Sequence, residues 1–253
     1  MLGALPEIHL LVLALGVGLL GGIIKGVVGF ALPVVIVSGL SAFLAPELAL
    51  AGLVVPALVT NVWQALRQGP EAAVQSFAKI RFFLIIGGLA MFSFAQLVPR
   101  MSVSLLYLSL GVPIALFAVS QLAGWRPVIS PTNRPAQATA GFISGAFGGL
   151  AGVFGPPLVI YLTAVNTPKT EQMRIQGVVF ALGSLLFATA HMISGVVRFE
   201  TLVFSAFIAA PAMIGTAIGF AIQDRVDQAT FRKLTLLVLL LAGLNLIRRG
   251  LIG

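Results

Sequence analysis

Long stretches without a charged side chain constrain this chain more than any other feature. Seven of them hold at least 18 residues, at 26–46, 48–66, 82–99, 101–125, 135–168, 175–197 and 201–223. A helix that crosses a bilayer needs about 20 mostly apolar residues. Only 9% of the residues are charged, whereas a soluble domain carries about a quarter. The sequence therefore predicts an all-α integral membrane protein.

Stretches without charged residues, together with the positions of proline and glycine, divide the chain into ten predicted transmembrane or half-transmembrane helices. They lie near 8–25, 29–45, 47–67, 80–98, 102–122, 136–149, 152–166, 170–196, 201–223 and 229–249. The polar, Pro-rich stretch "GWRPVISPTNRP" (124–135) lies between the two sets of five. We therefore predict a first transmembrane repeat at 1–123, a connector at 124–135 and a second repeat at 136–253.

The two halves share a glycine and proline pattern at a constant offset of 123 residues. Gly18, Gly22, Gly26, Gly29 and Pro33 correspond to Gly141, Gly145, Gly149, Gly152 and Pro156. Pro46 and Pro168 follow at an offset of 122. Five matches on one offset favour an internal duplication. Two independent glycine zippers are the alternative, because small residues let membrane helices approach closely.

Basic residues predict the orientation of the chain in the membrane. Ten of the fifteen lysines and arginines fall in loops on one predicted side and four on the other, with Lys25 left inside a segment. The basic side should be cytoplasmic, with both termini periplasmic or extracellular. Five segments in each half make the halves enter from opposite sides, so we predict an inverted-topology repeat.

The breaks at Gly29–Pro33 and Gly152–Pro156 are the predicted binding site. Glycine and proline weaken a helix interior, and paired interrupted segments are typical of transporter sites. Half-helices beginning there would direct backbone amides and positive dipole ends at an anion. Lys25 precedes the first break, and two interpretations stay open. It adds positive charge to the site, or it snorkels to the cytoplasmic interface.

Other intramembrane polar residues are further candidates. Asn61 and Gln64 lie one turn apart, and Ser184 is the repeat counterpart of Asn61. They could donate hydrogen bonds to an oxyanion, or they could link helices. Arg174, which opens the eighth segment with Gln176, is a candidate gate or a topology signal. His191 is a candidate proton relay or a packed neutral histidine.

Several chemistries are not expected. The chain has no cysteine and only two histidines, and it lacks the metalloprotease motif HExxH and a nucleophile elbow. We therefore expect no catalytic residue, no metal site and no cofactor. No basic run with interleaved aromatic residues is present, so nucleic-acid binding is not expected either.

The stretches "GLLGGIIKGVVGFALPVVIV" and "GFISGAFGGLAGVFGPPLVIYL" resemble the two glycine-rich signatures of the sulfite exporter TauE/SafE family. "GVFGPPLVIYL" is the closest piece, and the resemblance covers nearly the whole chain. It implies an inner-membrane transporter for small sulfur-containing anions such as sulfite, organosulfonates or thiosulfate. The first repeat departs from the pattern, because "GFALP" lacks the glycine that precedes proline in "FGPP".

Together these observations predict a transporter that moves a small anion by alternating access, binding it near the midplane where the two breaks meet. The predicted substrate-binding residues are Lys25, Gly29, Phe30, Pro33, Asn61, Gln64, Gly152, Gly155, Pro156 and Ser184. The expected partners are the anion and the lipid bilayer, and a homodimer stays open. The alternatives are a drug/metabolite-type exporter, which shares the five-plus-five plan, and a non-transporting membrane assembly protein.

Overall fold

The chain folds into helices joined by short turns. The computed structural model describes residues 6–95, 102–125, 129–130, 133–151, 155–193 and 198–252, and no strand occurs among them. The described helices are α1 (Ile8–Val28), α2 (Leu32–Leu40), α3 (Pro46–Leu66), α4 (Pro70–Lys79), α5 (Arg81–Ala95), α6 (Val103–Leu122), α7 (Arg134–Ala151), α8 (Gly155–Ala164), α9 (Lys169–Ile193), α10 (Phe199–Arg225) and α11 (Gln228–Ile252).

Five of the described helices are long and apolar enough to cross a membrane. These candidate spans are Ile8–Val28, Leu48–Leu66, Lys169–Thr189, Phe199–Arg225 and Gln228–Ile252. A sixth is formed if α4 and α5, which are bent by 66° at Ile80, act as one span. The prediction of a multi-pass helical membrane protein is confirmed. The arrangement of ten segments as an inverted repeat stays a prediction.

Helix α4 is absent from the ten predicted segments. Its sequence, "PEAAVQSFAK", contains no long apolar run. It begins with Pro70, has Glu71 in its first turn and ends at Lys79. Proline suits a first helical position. An acidic residue in the first turn and a basic residue in the last turn both interact favourably with the helix dipole. End signals therefore favour a helix that hydropathy alone does not predict.

The described helices form two compact units, and each unit takes helices from both predicted repeats. The first includes the chain up to Ala73 together with Met173–Asp227. The second includes Val74–Gln172 and the chain from Gln228 onward. In the first unit α10 packs against α1 and α3, while α2 contacts α1 and α3. In the second unit α5 packs against α7, α6 against α11, and α7 against α8.

Glycines bring the α1 and α10 backbones into close contact in the first unit. A Cβ atom added at Gly22 would lie 2.1 Å from the carbonyl oxygen of Ala212. One added at Gly26 would lie 2.5 Å from that of Thr216. Such distances leave no room for a side chain. Glycine spacing on α1 is therefore explained by helix packing, independently of any role at the break.

The second unit uses the same device between α5 and α7. A Cβ atom at Gly141 would lie 2.6 Å from the carbonyl oxygen of Phe83, and one at Gly145 would lie 2.0 Å from that of Gly87. Gly141 and Gly145 are the predicted counterparts of Gly18 and Gly22. Matching glycines thus serve close helix packing in both units.

The buried hydroxyl group of Ser205 replaces backbone hydrogen bonds next to a proline in α3. Pro56 lies inside α3 and has no N–H to offer to the carbonyl four residues earlier. Ser205 of α10 is fully buried, and its hydroxyl donates to the carbonyl oxygen of Gly52 at 3.1 Å. The N–H of Val55 donates to the same hydroxyl at 3.0 Å. Such replacement of lost backbone bonds is needed within a membrane.

Candidate functional site

Helix α1 ends at the first predicted break. Gly29 follows Val28 with a φ of 88°, and its N–H donates to the carbonyl oxygen of Lys25 at 2.6 Å. Glycine is the residue that adopts this left-handed conformation without penalty. Ala31 is also left-handed, with a φ of 76°. Helix α2 then begins at Leu32, with Pro33 in its first turn.

Two features at Gly29 exclude a side chain. Besides the positive φ, a Cβ atom there would lie 1.7 Å from Oε1 of Gln176 and 2.8 Å from Sδ of Met173. The amide of Gln176 on α9, which is fully buried, therefore lies directly against the α1–α2 break. Gln176 lies at the start of its predicted segment and is not among the predicted substrate-binding residues.

Lys25 is buried beside this break. Its side chain is 1% exposed, and Nζ donates to Oδ1 of Asn61 at 2.5 Å and to Oε1 of Gln64 at 2.6 Å. Both acceptors lie on α3. The ammonium group is therefore inside the first unit and does not snorkel to an exposed position.

The amide NH₂ groups of Asn61 and Gln64 point away from Lys25. Nδ2 of Asn61 donates to the carbonyl oxygen of Phe180 at 3.1 Å, with a longer contact of 3.4 Å to Oγ of Ser184. Nε2 of Gln64 donates to the carbonyl oxygens of Gly29 at 3.1 Å and Met173 at 2.8 Å. An ammonium group can only donate. Both amide oxygens must therefore face Lys25, which fixes the orientation of each amide.

Gln64 also stabilises the break itself. The carbonyl of Gly29 lies beyond the end of α1, where the regular pattern of helical hydrogen bonds stops. Gln64 supplies a donor to that carbonyl and to a second one on α9. One side chain thus links the end of α1, α3 and α9. The backbone acceptors of Met173 and Phe180 have no signature in the sequence, because every residue has a carbonyl group.

The described contacts give Lys25 no carboxylate partner. Ion pairs that the structure describes, such as Arg67 with Asp224 and Lys79 with Glu171, do not include Lys25. Burying an unpaired charge is costly, and amide dipoles compensate it only in part. The site therefore combines an ammonium group, amides that have both donors and acceptors, and a local excess of positive charge. These properties favour an anionic ligand.

Five of the predicted substrate-binding residues meet in the first unit: Lys25, Gly29, Asn61, Gln64 and Ser184. The hydroxyl of Ser184 also donates to the carbonyl oxygen of Phe180 at 2.7 Å. Phe30 is buried next to Gly29, whereas Pro33 is exposed. Arg174 donates to Oε1 of Gln68.

The second break belongs to the other compact unit. Helix α8 begins at Gly155, and Pro156 is buried in its first turn. Ten residues at a rise of about 1.5 Å each make α8 about 15 Å long, half the thickness of the hydrocarbon core. Gly152 lies outside the described residues, and so does the side chain of His191. The predicted roles of both stay predictions.

Comparison with known protein families matches the description "Sulfite exporter TauE/SafE" over residues 14–246. Because this match covers nearly the whole chain, the protein belongs to the sulfite exporter TauE/SafE family, a family of membrane transporters. No curated protein and no solved structure matched the chain.

Proposed function

We propose that this protein transports a small sulfur-containing oxyanion, sulfite or an organosulfonate, across the inner membrane by alternating access. Membership of the TauE/SafE family supports transport of such an anion. The observation that carries the site assignment is the buried Lys25 ammonium group, which has two neutral amides as its described partners. An entering anion supplies the missing negative charge.

Lys25, Asn61 and Gln64 bind the anion together. One oxygen of the anion replaces an amide oxygen as an acceptor for Nζ. Rotation of an amide then directs its NH₂ group at a second anion oxygen, since a carboxamide is both donor and acceptor. In the observed arrangement these NH₂ groups donate to backbone carbonyls on α9 and at the break. Anion binding therefore exchanges contacts among α1, α3 and α9.

The backbone beyond Gly29 is the second part of this binding site. Helix α2 has nine residues and begins three residues after Gly29. Its first amides carry the positive end of a helix dipole, which favours a negative charge. The corresponding break before α8 contributes in the same way within its own unit. The second repeat has Gly148 where the first has Lys25. At this position only the first repeat contributes a positively charged side chain.

An inverted five-helix repeat provides the framework for alternating access. Helices α2 and α8 begin 123 residues apart, and so do α3 and α9. In this duplication α7 is the counterpart of α1, and α10 is the counterpart of α5. The packing of α1 against α10 therefore corresponds to the packing of α7 against α5. These relationships support a duplication over 1–123 and 136–253. Both termini then lie on the periplasmic or extracellular side, and a homodimer stays open.

Anion flux into sealed proteoliposomes tests the proposal. Wild-type protein should take up sulfite with saturation, and methanesulfonate or thiosulfate should compete. Lys25→Met keeps the length of the side chain but removes the charge. Because a hydrogen bond to a charged group is worth about 1.5–3 kcal/mol, it should weaken anion affinity about ten- to hundredfold. Lys233→Met, at an exposed lysine on α11, is the matched control and should keep wild-type flux.

Two results would overturn the proposal. Wild-type protein that transports none of a panel of oxyanions and sulfonates would exclude the substrate class. A neutral or cationic metabolite that outcompetes sulfite would instead favour a drug/metabolite-type exporter. Wild-type affinity in Lys25→Met would keep the transporter but remove the binding role of Lys25.

A further inference from the structure

The second unit contains a basic cavity that is separate from Lys25 and its partners. It has a volume of about 250 Å³ and lies where the bend between α4 and α5 meets the start of α7. Its charged lining residues are Lys79, Arg81 and Arg134, and none of the described residues that line it is acidic. All three lie at helix ends, in segments that the distribution of basic residues predicts to be on the cytoplasmic side.

The two arginines keep their charge available for a ligand. Lys79 pairs with Glu171, whereas neither arginine takes part in an ion pair of the described residues. The guanidinium carbons of Arg81 and Arg134 lie 5.2 and 5.4 Å from the centre of the Phe82 ring. This shared aromatic contact holds both cations at one place in the cavity.

Hydrogen bonds to the backbone fix the walls of the cavity. The N–H of Ala136 donates to Oδ1 of Asn133 at 2.9 Å, which caps the start of α7. Nε2 of Gln137, a buried side chain, donates to the carbonyl oxygen of Lys79 at 3.0 Å and so links α7 to the end of α4. These hydrogen bonds fix the helix ends that carry Arg81 and Arg134.

An apolar stripe continues from Arg81 along α5. Ile85, Leu89 and Phe92 are 57%, 64% and 75% exposed. They lie four, eight and eleven residues after Arg81, on the same face of the helix. In a membrane protein such a face contacts hydrocarbon. A charged head group at Arg81 and acyl chains along this stripe would therefore have the polarity of a phospholipid.

We propose that this cavity binds the phosphate group of an anionic phospholipid such as phosphatidylglycerol. Arg81 and Arg134 contact the phosphate oxygens, because the planar guanidinium fork matches phosphate geometry. The acyl chains lie along Ile85, Leu89 and Phe92. Anionic lipids give the cytoplasmic leaflet its negative surface potential, which agrees with the predicted cytoplasmic side of these helix ends. The lipid anchors the bent α4–α5 segment to α7.

Binding to purified protein in neutral detergent tests this proposal, with native mass spectrometry as the readout. The probes are short-chain phosphatidylglycerol, short-chain phosphatidylcholine and inorganic phosphate. Wild-type protein should bind phosphatidylglycerol at least about tenfold more tightly than either other probe. Arg81→Gln with Arg134→Gln should weaken phosphatidylglycerol binding about tenfold or more. Both arginines are exposed, so the thermal unfolding temperature in neutral detergent should change little.

Two further variants separate a defined site from general attraction. Arg225→Gln with Lys233→Gln removes the same charge at exposed positions outside the cavity and should keep wild-type affinity. Arg81→Lys with Arg134→Lys keeps the charge without the fork and should give intermediate affinity. An equal loss in the outside pair, wild-type affinity in the Gln pair, or wild-type affinity in the Lys pair would overturn the proposal. Inorganic phosphate that binds as tightly as phosphatidylglycerol would overturn the assignment to a lipid.

Discussion

The Nζ atom of Lys25 lies 2.5 Å from Oδ1 of Asn61, although 36 positions separate the two residues in the chain. A buried cation is thus held by the dipole of an amide. A carboxylate at the same place would neutralise the charge permanently. An amide stabilises the charge without neutralising it, as the proposed anion site requires.

Asn61→Asp should replace the hydrogen bond between Lys25 and the amide by an ion pair between Lys25 and a carboxylate. The new carboxylate would lie within hydrogen-bonding distance of Nζ, and the carbonyl of Phe180 would lose its donor from Asn61. The hydroxyl of Ser184, which donates to carbonyls of its own helix, could turn and donate to the carboxylate instead. We expect the protein to fold and its affinity for sulfite to fall at least about tenfold, because a fixed negative charge would compete with the anion. Isothermal titration calorimetry of the purified variant measures this.

A matched variant separates charge from shape in that experiment. Asn61→Leu removes the amide without adding a charge, so it should lower anion affinity less than Asn61→Asp does. If both variants bind sulfite as the wild type does, Asn61 is a link between helices and has no part in the site.

Gly29→Ala should destabilise the break at the end of α1. A left-handed non-glycine residue costs about 1–2 kcal/mol, and the new Cβ atom would also meet Oε1 of Gln176 at 1.7 Å. We expect a loss of at least about 2 kcal/mol in the free energy of unfolding, together with loss of transport. Unfolding in mixed micelles measures the first quantity.

Gly16→Ala is the control in the same helix. Apart from the backbone of its own helix, no atom lies within 4 Å of a Cβ at Gly16, so this change should be neutral or stabilise the helix by up to about 1 kcal/mol. Equal unfolding free energies for the two variants would show that the break does not require glycine at position 29.

The sequence predicts the break at the end of α1 better than it predicts the contacts of Lys25 with Asn61 and Gln64. Glycine and proline act on their own backbone, so the end of α1 and the start of α8 could be predicted locally. Lys25, Asn61 and Gln64 could be proposed singly, because polar residues are unusual in apolar segments. Their contact depends on how α1 and α3 pack. The position of Gln176 against Gly29 also requires the packing of α9, which residue type alone does not specify.

Paired glycines provide a prediction about helix packing in each unit. Gly22→Ala and Gly145→Ala would place a Cβ atom 2.1 and 2.0 Å from a carbonyl oxygen of the neighbouring helix. The two backbones must move apart, so each variant should lower the thermal unfolding temperature by several degrees. Gly88→Ala on α5 has open space around it and should not lower it. A glycine pair that tolerates alanine like Gly88 would show that close approach is not required there.

The hydroxyl of Ser205 should matter because Pro56 removes a backbone donor. Ser205→Ala leaves the carbonyl of Gly52 and the N–H of Val55 without this partner, at a cost of about 1–2 kcal/mol in the free energy of unfolding. Ser93→Ala is the control, since that exposed hydroxyl donates to the carbonyl of Leu89 in its own helix.

In a Pro56→Ala background the new N–H can donate to the Gly52 carbonyl. Ser205→Ala should then cost less, and a double-mutant cycle measured by unfolding should show this coupling. An unchanged cost in both backgrounds would mean that Ser205 stabilises the protein independently of the proline.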